Sequence, residues 1–179
     1  MLFFMKPYFY PKNLSSFEGN INYFNLIYLI YMKIEYNNLY THYVFTTLGR
    51  QIMIPEKNRI RIEKYVTGIV NNNSSKLYAI YANPEHVHFL VSRAVTLSEE
   101  ELATIIAESS ENFINKNRLV SSQFRWQQSA SAFSVSKSDI DRVCKYILNQ
   151  PDHHKKVSFA EEYEQFLKHY QDTLKKEGQ

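Results

Sequence analysis

The sequence predicts an α+β fold: a ferredoxin-like antiparallel sheet in the chain order βαββαβ, with helices on one face and further helices at the C-terminal end. Three observations lead there. Four short segments carry the two-residue alternation, or the compact apolar run, of a strand. Two longer segments between them repeat apolar residues every three to four positions, the period of a helix. Asn83 and Pro84 read as a turn joining two strands directly into a hairpin.

Residues 39–47 are expected to form the first strand, with Tyr40, His42, Val44 and Thr46 alternating with Leu39, Thr41, Tyr43 and Phe45. A loop with Gly49, Arg50 and Gln51 follows. Pro55 opens a helix, because its fixed φ and missing N–H suit a first turn. Ile60, Ile62, Val66, Ile69 and Val70 give that helix its apolar face, and the polar run 71–75 ends it. Residues 77–81 and 85–93 are the second and third strands. Ser98 with Glu101 reads as a capping box, starting a helix that runs to about residue 116. Its inward positions are Leu102, Ile105, Ile106, Ser109, Phe113 and Ile114. Residues 132–136 form a short fourth strand. Ser138 caps a third helix through Val143, Tyr146 and Ile147, and Pro151 stops it. Residues 159–174 form a final amphipathic helix with Phe159, Tyr163, Phe166, Leu167 and Tyr170 on one side.

At 179 residues the chain suits one domain, with 44% hydrophobic and 22% charged residues, as in soluble globular proteins. That domain is residues 32–179. Residues 1–31, rich in Phe, Tyr and Asn and without a clean period, read as an N-terminal extension, with Met32 as an alternative start. The apolar stretch 23–32 is about ten residues long, against the roughly 20 needed to span a bilayer. The segment also has no small-residue cleavage site, so neither membrane nor export is expected. The single cysteine, Cys144, excludes an internal disulfide and fits a reducing, cytoplasmic setting, where it packs as a small apolar residue. A net charge of +3 permits nucleic-acid binding without arguing for it. Gly-rich phosphate loops and Cys-x-x-Cys pairs are absent.

The chemistry concentrates in two places. His86 and His88 stand two apart in an expected strand, so both imidazoles project from one face. Tyr146 and Gln150 stand four apart on an expected helix and share a face as well. Two imidazoles and an amide oxygen can hold a divalent metal. Imidazole suits transition metals, and the oxygen ligand harder ions such as Mg²⁺ or Mn²⁺. A tyrosine oxygen beside that metal is a candidate nucleophile for phosphodiester chemistry. Each residue also has a plainer reading: two half-buried histidines, a core tyrosine, a solvated glutamine at a helix end.

Ordered blocks around these residues sharpen the choice. Asn83-Pro84-Glu85-His86-Val87-His88-Phe89-Leu90-Val91 resembles the metal-binding strand of the single-tyrosine, HUH-type transposases of the smallest bacterial insertion sequences. Tyr40-Thr41-His42-Tyr43-Val44-Phe45-Thr46-Thr47 is similar to their first strand. Phe124-Arg125-Trp126-Gln127 and Ala132-Phe133-Ser134-Val135-Ser136 are similar to their segment before the catalytic helix. Tyr146-Ile147-Leu148-Asn149-Gln150 resembles the nucleophile helix, and the similarity continues through 152–156 and 159–163, covering roughly residues 39–170. Glu85 stands where the family usually has Asp, and Ser129-Ala130 replaces a common Gly-aromatic pair.

The resemblance implies a metal-dependent DNA transposase. Tyr146 is then the nucleophile, and His86, His88 and Gln150 hold Mg²⁺ or Mn²⁺. The reaction leaves a 5′-phosphotyrosine and a free 3′-hydroxyl on single-stranded DNA, with no nucleotide cofactor. The substrate carries hairpins near the element's ends. The enzyme is a homodimer, in which the tyrosine helix of one subunit often serves the histidines of the other. A domesticated relative, or a non-catalytic nucleic-acid-binding module on the same fold, is the competing reading. Arg50, Arg125, Lys137, Lys155 and Lys156 are candidate DNA contacts. His42 reads as structural, His153 and His154 as part of a solvated basic turn, and Trp126 as buried rather than stacked on a base.

Overall fold

The structure, a computed structural model, describes residue 34 and residues 36–177, the stretch 169–177 as backbone only. The expected extension at 1–31, Met32 as a start and the Tyr170 side chain lie outside what is described.

Strand β1 (Tyr40–Thr46) is buried along its whole length. It lies between β3 (His86–Ser92) and β4 (Ser131–Val135), antiparallel to both. Strand β2 (Lys76–Ala82) pairs antiparallel with the other edge of β3, closing the hairpin across Asn83 and Pro84. The order β2-β3-β1-β4 realises the ferredoxin-like sandwich that βαββαβ predicts. Helices α1 (Glu56–Asn72) and α2 (Glu99–Lys116) cover one face. Helix α3 (Ile140–Leu148) packs on the other, against β2 and β3.

The pleat divides the side chains. Tyr43, Phe45, Val87, Phe89 and Val91 enter the main core with Ile62 and Val66 of α1 and Leu102, Ile106 and Ile114 of α2. Tyr40 and Leu90 face the other way and pack with Ala79 and Ile147. His42 and His88 stand at even-numbered positions like Tyr40 and Leu90, so they emerge on the α3 face, as does His86. That face carries the site.

Several expected details shift. Ile60 is 47% exposed and Glu63 takes the inward position on α1. The buried carboxylate is tolerated because Arg59 Nη1 lies 2.9 Å from its Oε1, which also accepts the Ala82 N–H at 3.0 Å. Ser110, not Ser109, faces inward on α2, because its hydroxyl accepts the Trp126 Nε1–H at 2.9 Å. Trp126 is buried, as expected. The Ser98 capping box forms, Oγ accepting the Glu101 N–H at 3.1 Å and Glu101 Oε2 accepting the Ser98 N–H at 2.8 Å.

Ser138 caps nothing. It lies inside a 3-10 turn, Lys137–Asp139, and its hydroxyl meets that of Ser136. Pro151 starts a helix rather than stopping one: α3 ends at Leu148, and Pro151 sits in the first turn of the short α4 (Gln150–His153), where its missing N–H costs nothing. A second capping box, Ser158 with Glu161, opens α5 (Phe159–Glu177). Burial raises the Cys144 thiol, which packs beside Ile147 as a small apolar group. Among the described residues no helix is long and apolar enough to cross a membrane.

Candidate active site

His86 and His88 are fully buried on β3, their ring centres 4.9 Å apart. Tyr146 and Gln150 do not share one helix as expected: Tyr146 faces them from near the end of α3 and Gln150 from the start of α4. Gln150 Oε1 lies 3.5 Å from His86 Nε2, and the Tyr146 ring centre 5.8 Å from that of His88. The four residues expected to carry chemistry thus meet within one chain.

Glu162, in the first turn of α5, sits between them. It is 2% exposed. Its Oε1 accepts the Tyr146 hydroxyl and, at 3.0 Å, the Gln150 Nε2–H, with His153 Nε2 at 3.4 Å. Its Oε2 faces three imidazoles: His88 Nε2 at 3.4 Å, His154 Nε2 at 3.5 Å and His86 Nε2 at 3.8 Å. Burial pushes this carboxyl up to about 7, the attraction of His86 offsetting only part of the loss of solvation.

Other residues complete the setting. Asn83 Nδ2 reaches His86 Nε2 at 2.8 Å and Gln150 Oε1 at 2.9 Å. His154 Nε2 lies 3.1 Å from His86 Nε2, its Nδ1 donating to the Val157 carbonyl at 2.9 Å. Phe159 stacks on His86 with ring centres 4.0 Å apart. Glu85 Oε1 is 3.3 Å from His86 Nδ1, and that contact holds the Glu85 carboxyl below its usual range. His42 stands behind His88, Nε2 to Nδ1 at 3.0 Å. Burial, with the neighbouring His88, lowers His42 to about 3, so its imidazole is neutral and can accept the His88 Nδ1–H. That tautomer leaves His88 Nε2 with a free lone pair pointing into the cluster.

His88 Nε2 and Glu162 Oε2 are buried and have no hydrogen-bond partner. Native interiors rarely leave such atoms unpaired, and a cation between them would satisfy both. Ligand atoms of His86, His154 and Glu162 lie within 4.8 Å of one another. The residues therefore fit a divalent metal.

Sequence reasoning missed Glu162, His154, His153 and Asn83. His153 and His154 do not form a solvated turn but fold back onto the cluster. For Glu162 a signal existed: it lies among Phe159, Tyr163 and Phe166 on the apolar side of α5, and a carboxylate there marks a site.

Of the candidate DNA contacts, Arg50 reaches the wall of the site. It follows Gly49 in a left-handed turn (φ 65° and 55°), and its guanidinium lies 4.8 Å from the Tyr163 ring centre and 5.7 Å from that of Phe159. Arg125 and Lys137 are exposed, beside β1 and before α3 respectively. Lys155 and Lys156 are exposed after α4, and Lys155 Nζ is held 2.6 Å from Asp152 Oδ1.

The family model described as "Transposase IS200 like" matches residues 35–150, a span that holds His86, His88, Tyr146 and Gln150. The chain belongs to the IS200-like transposase family. No curated protein matches it. A crystal structure of a protein assigned as a transposase, from Deinococcus radiodurans R1, is similar with a TM-score of 0.51 and 16% identity, over 68% of this chain and 98% of that one. A REP-associated tyrosine transposase bound to a REP hairpin is similar with a TM-score of 0.52 and 12% identity, over 71% of this chain and 74% of that one. At these identities the likeness is one of fold. Glu162 and His154 lie beyond the span that the family model matches.

Proposed function

We propose that this transposase is a metal-dependent enzyme that cleaves and rejoins single-stranded DNA through a 5′-phosphotyrosine on Tyr146. One observation carries the reading: the Tyr146 hydroxyl and the His86 and His88 nitrogens converge on a single buried carboxylate, Glu162. A phenol with an ordinary pKa of about 10 attacks poorly at neutral pH unless its proton has somewhere to go. Glu162 Oε1 already accepts that hydrogen and takes the proton as the oxygen attacks phosphorus. The P–O bond to the 3′-oxygen breaks, that oxygen takes the proton from Glu162 and leaves as a hydroxyl, and the strand stays joined to the enzyme through its 5′-phosphate. Attack by another 3′-hydroxyl reverses the step and returns the proton to Tyr146.

His86, His88 and Gln150 would hold Mg²⁺ or Mn²⁺. When bound, such an ion polarises the scissile phosphate and stabilises the charge that develops on it. His42 and Glu85 orient the two imidazoles from behind.

Single-stranded DNA suits the surroundings. A cleft of about 260 Å³ beside the site is lined by Arg50, Gln127, Ser129, Ser131 and Tyr163. A cation, hydroxyls and an aromatic ring are what a strand with splayed bases needs. The REP hairpin on a protein of the same fold supports a hairpin-bearing substrate, with Arg125, Lys137, Lys155 and Lys156 as phosphate contacts. The enzyme works as a cytoplasmic homodimer in which each chain uses its own Tyr146, since tyrosine and histidines meet within one chain.

The test is covalent capture. Incubation with labelled single-stranded DNA from the gene's own flanks should give an adduct that survives denaturant and maps to Tyr146 through a 5′-phosphate. Tyr146→Phe should keep DNA binding and lose the adduct. A label on any other residue refutes the mechanism. Absence of an adduct on every such hairpin substrate makes the protein a non-catalytic DNA-binding module.

A further inference from the structure

We propose that His154 and Glu162 are metal ligands alongside His86 and His88, and that three imidazoles with a carboxylate select a transition-metal ion, such as Mn²⁺ or Zn²⁺, over Mg²⁺. This rests on the reading that His86 and His88 hold a metal, and adds to it two residues beyond the family-matched span.

Geometry makes the first case. His86 Nε2, His154 Nε2 and Glu162 Oε2 are separated by 3.1, 3.5 and 3.8 Å. The circle through the three atoms has a radius of about 2.0 Å, the length of metal–imidazole and metal–carboxylate bonds. One ion can therefore bond all three with almost no rearrangement. His88 Nε2, 3.4 Å from Glu162 Oε2, stands outside this three-atom group and completes the donor set by a shift toward the ion.

Unmet bonding makes the second. Three imidazole nitrogens crowd one buried carboxylate oxygen, and neither His88 Nε2 nor Glu162 Oε2 has a hydrogen-bond partner. His154 is already oriented as ligands are, its Nδ1–H donated to the Val157 carbonyl and its Nε2 aimed at His86 Nε2.

Donor chemistry makes the third. His86, His88 and Gln150 alone leave the choice of ion open. Three imidazoles shift it, because Mg²⁺ prefers oxygen and keeps its waters while imidazole suits transition metals. Glu162 then does two jobs. Its Oε2 holds the ion while its Oε1 holds the Tyr146 hydroxyl, fixing the nucleophile's oxygen relative to the metal.

Metal binding itself is the readout. Mn²⁺ and Mg²⁺ titrations, with pulsed EPR of the Mn²⁺ complex to count coordinated imidazoles, compare wild type with His154→Gln, Glu162→Gln and His88→Ala. Wild type should bind Mn²⁺ at least about 10-fold more tightly than Mg²⁺ and show three coordinated imidazoles. His154→Gln should show two. Both His154→Gln and Glu162→Gln should lose about 10-fold or more in Mn²⁺ affinity. The imidazole count in wild type stands even if a variant fails to fold. Two imidazoles in wild type, or Mn²⁺ affinity unchanged in both of those variants, overturns the inference while leaving the His86–His88 site intact. Undiminished binding by His88→Ala, or no binding of either ion by wild type, sinks the metal-dependent reading as well.

Discussion

Glu162 is a buried acid whose effect on stability can be worked out and measured. In metal-free protein its carboxyl is raised from 4.5 to about 7 by burial. Between those values the folded chain holds a proton that the unfolded chain has lost. The folded state is therefore favoured below 4.5, and that advantage disappears as pH rises through 7. At about 1.36 kcal/mol per unit the whole effect is roughly 3 kcal/mol, of which about 2 kcal/mol falls between pH 5.5 and 9. Glu162→Gln removes the charge and keeps an oxygen to accept the Tyr146 hydroxyl. Buried neutral imidazoles give the opposite slope: His42, lowered to about 3, resists folding as acid protonates the unfolded chain below 6.5. In wild type the two slopes offset each other, and in the variant only the histidine slope remains. Urea unfolding in chelator at pH 5.5 and pH 9 measures the difference between the two proteins, in which the contribution of His42, set by burial and His88, is common to both. Glu162→Gln should gain about 2 kcal/mol relative to wild type on going from pH 5.5 to 9. A difference that does not change with pH would mean that Glu162 ionises as freely in the fold as in the unfolded chain, and the argument for a raised carboxyl would fail.

Further outcomes follow from other contacts. His42→Ala leaves the His88 Nδ1–H without its acceptor and should weaken Mn²⁺ binding about 10- to 100-fold, as read by titration, with the fold retained by circular dichroism. Ser98→Ala breaks the capping box of α2 and should cost about 1 kcal/mol in urea unfolding, far from the site and without effect on adduct formation. Because Tyr146 and the histidines meet within one chain, mixing Tyr146→Phe with His86→Ala protein should restore no cleavage; recovery of activity would mean that the helices are exchanged between subunits.

The sheet was legible in the sequence because its signals are local. The alternation in 39–47 and the Asn83-Pro84 turn each read within a few residues, and β1 and the β2–β3 hairpin lie where they predict. The Ser98 box reads equally well, since both partners fall inside one turn. Ser138 misled because a serine before an apolar run caps a helix only if the chain enters it directly, and here a 3-10 turn intervenes. His86 and His88 could be paired because they share β3, and Tyr146 and Gln150 because they lie four apart, although the chain breaks between α3 and α4 there. Glu162 and His154 could not, since their partners on β3 and α3 are more than ten residues away in sequence and only the fold brings them in. A charged turn and a lone acid are ordinary on their own, and burial alone made them part of a site.

The pairing of β1 with β3 has a consequence for how this protein can fail. Val44 stands opposite His88 and Tyr43 opposite Phe89, so packing residues and chemical residues interleave one by one along both strands. A slip of a single position would put Phe89 among the polar groups and drive an imidazole into the apolar layer beneath the helices. No neighbouring alignment keeps the interior while misplacing the histidines. A molecule that has folded at all has aligned its histidines, and an insertion of one residue after Pro84 would be lost to degradation before it could persist as a folded but inert binder of the same DNA.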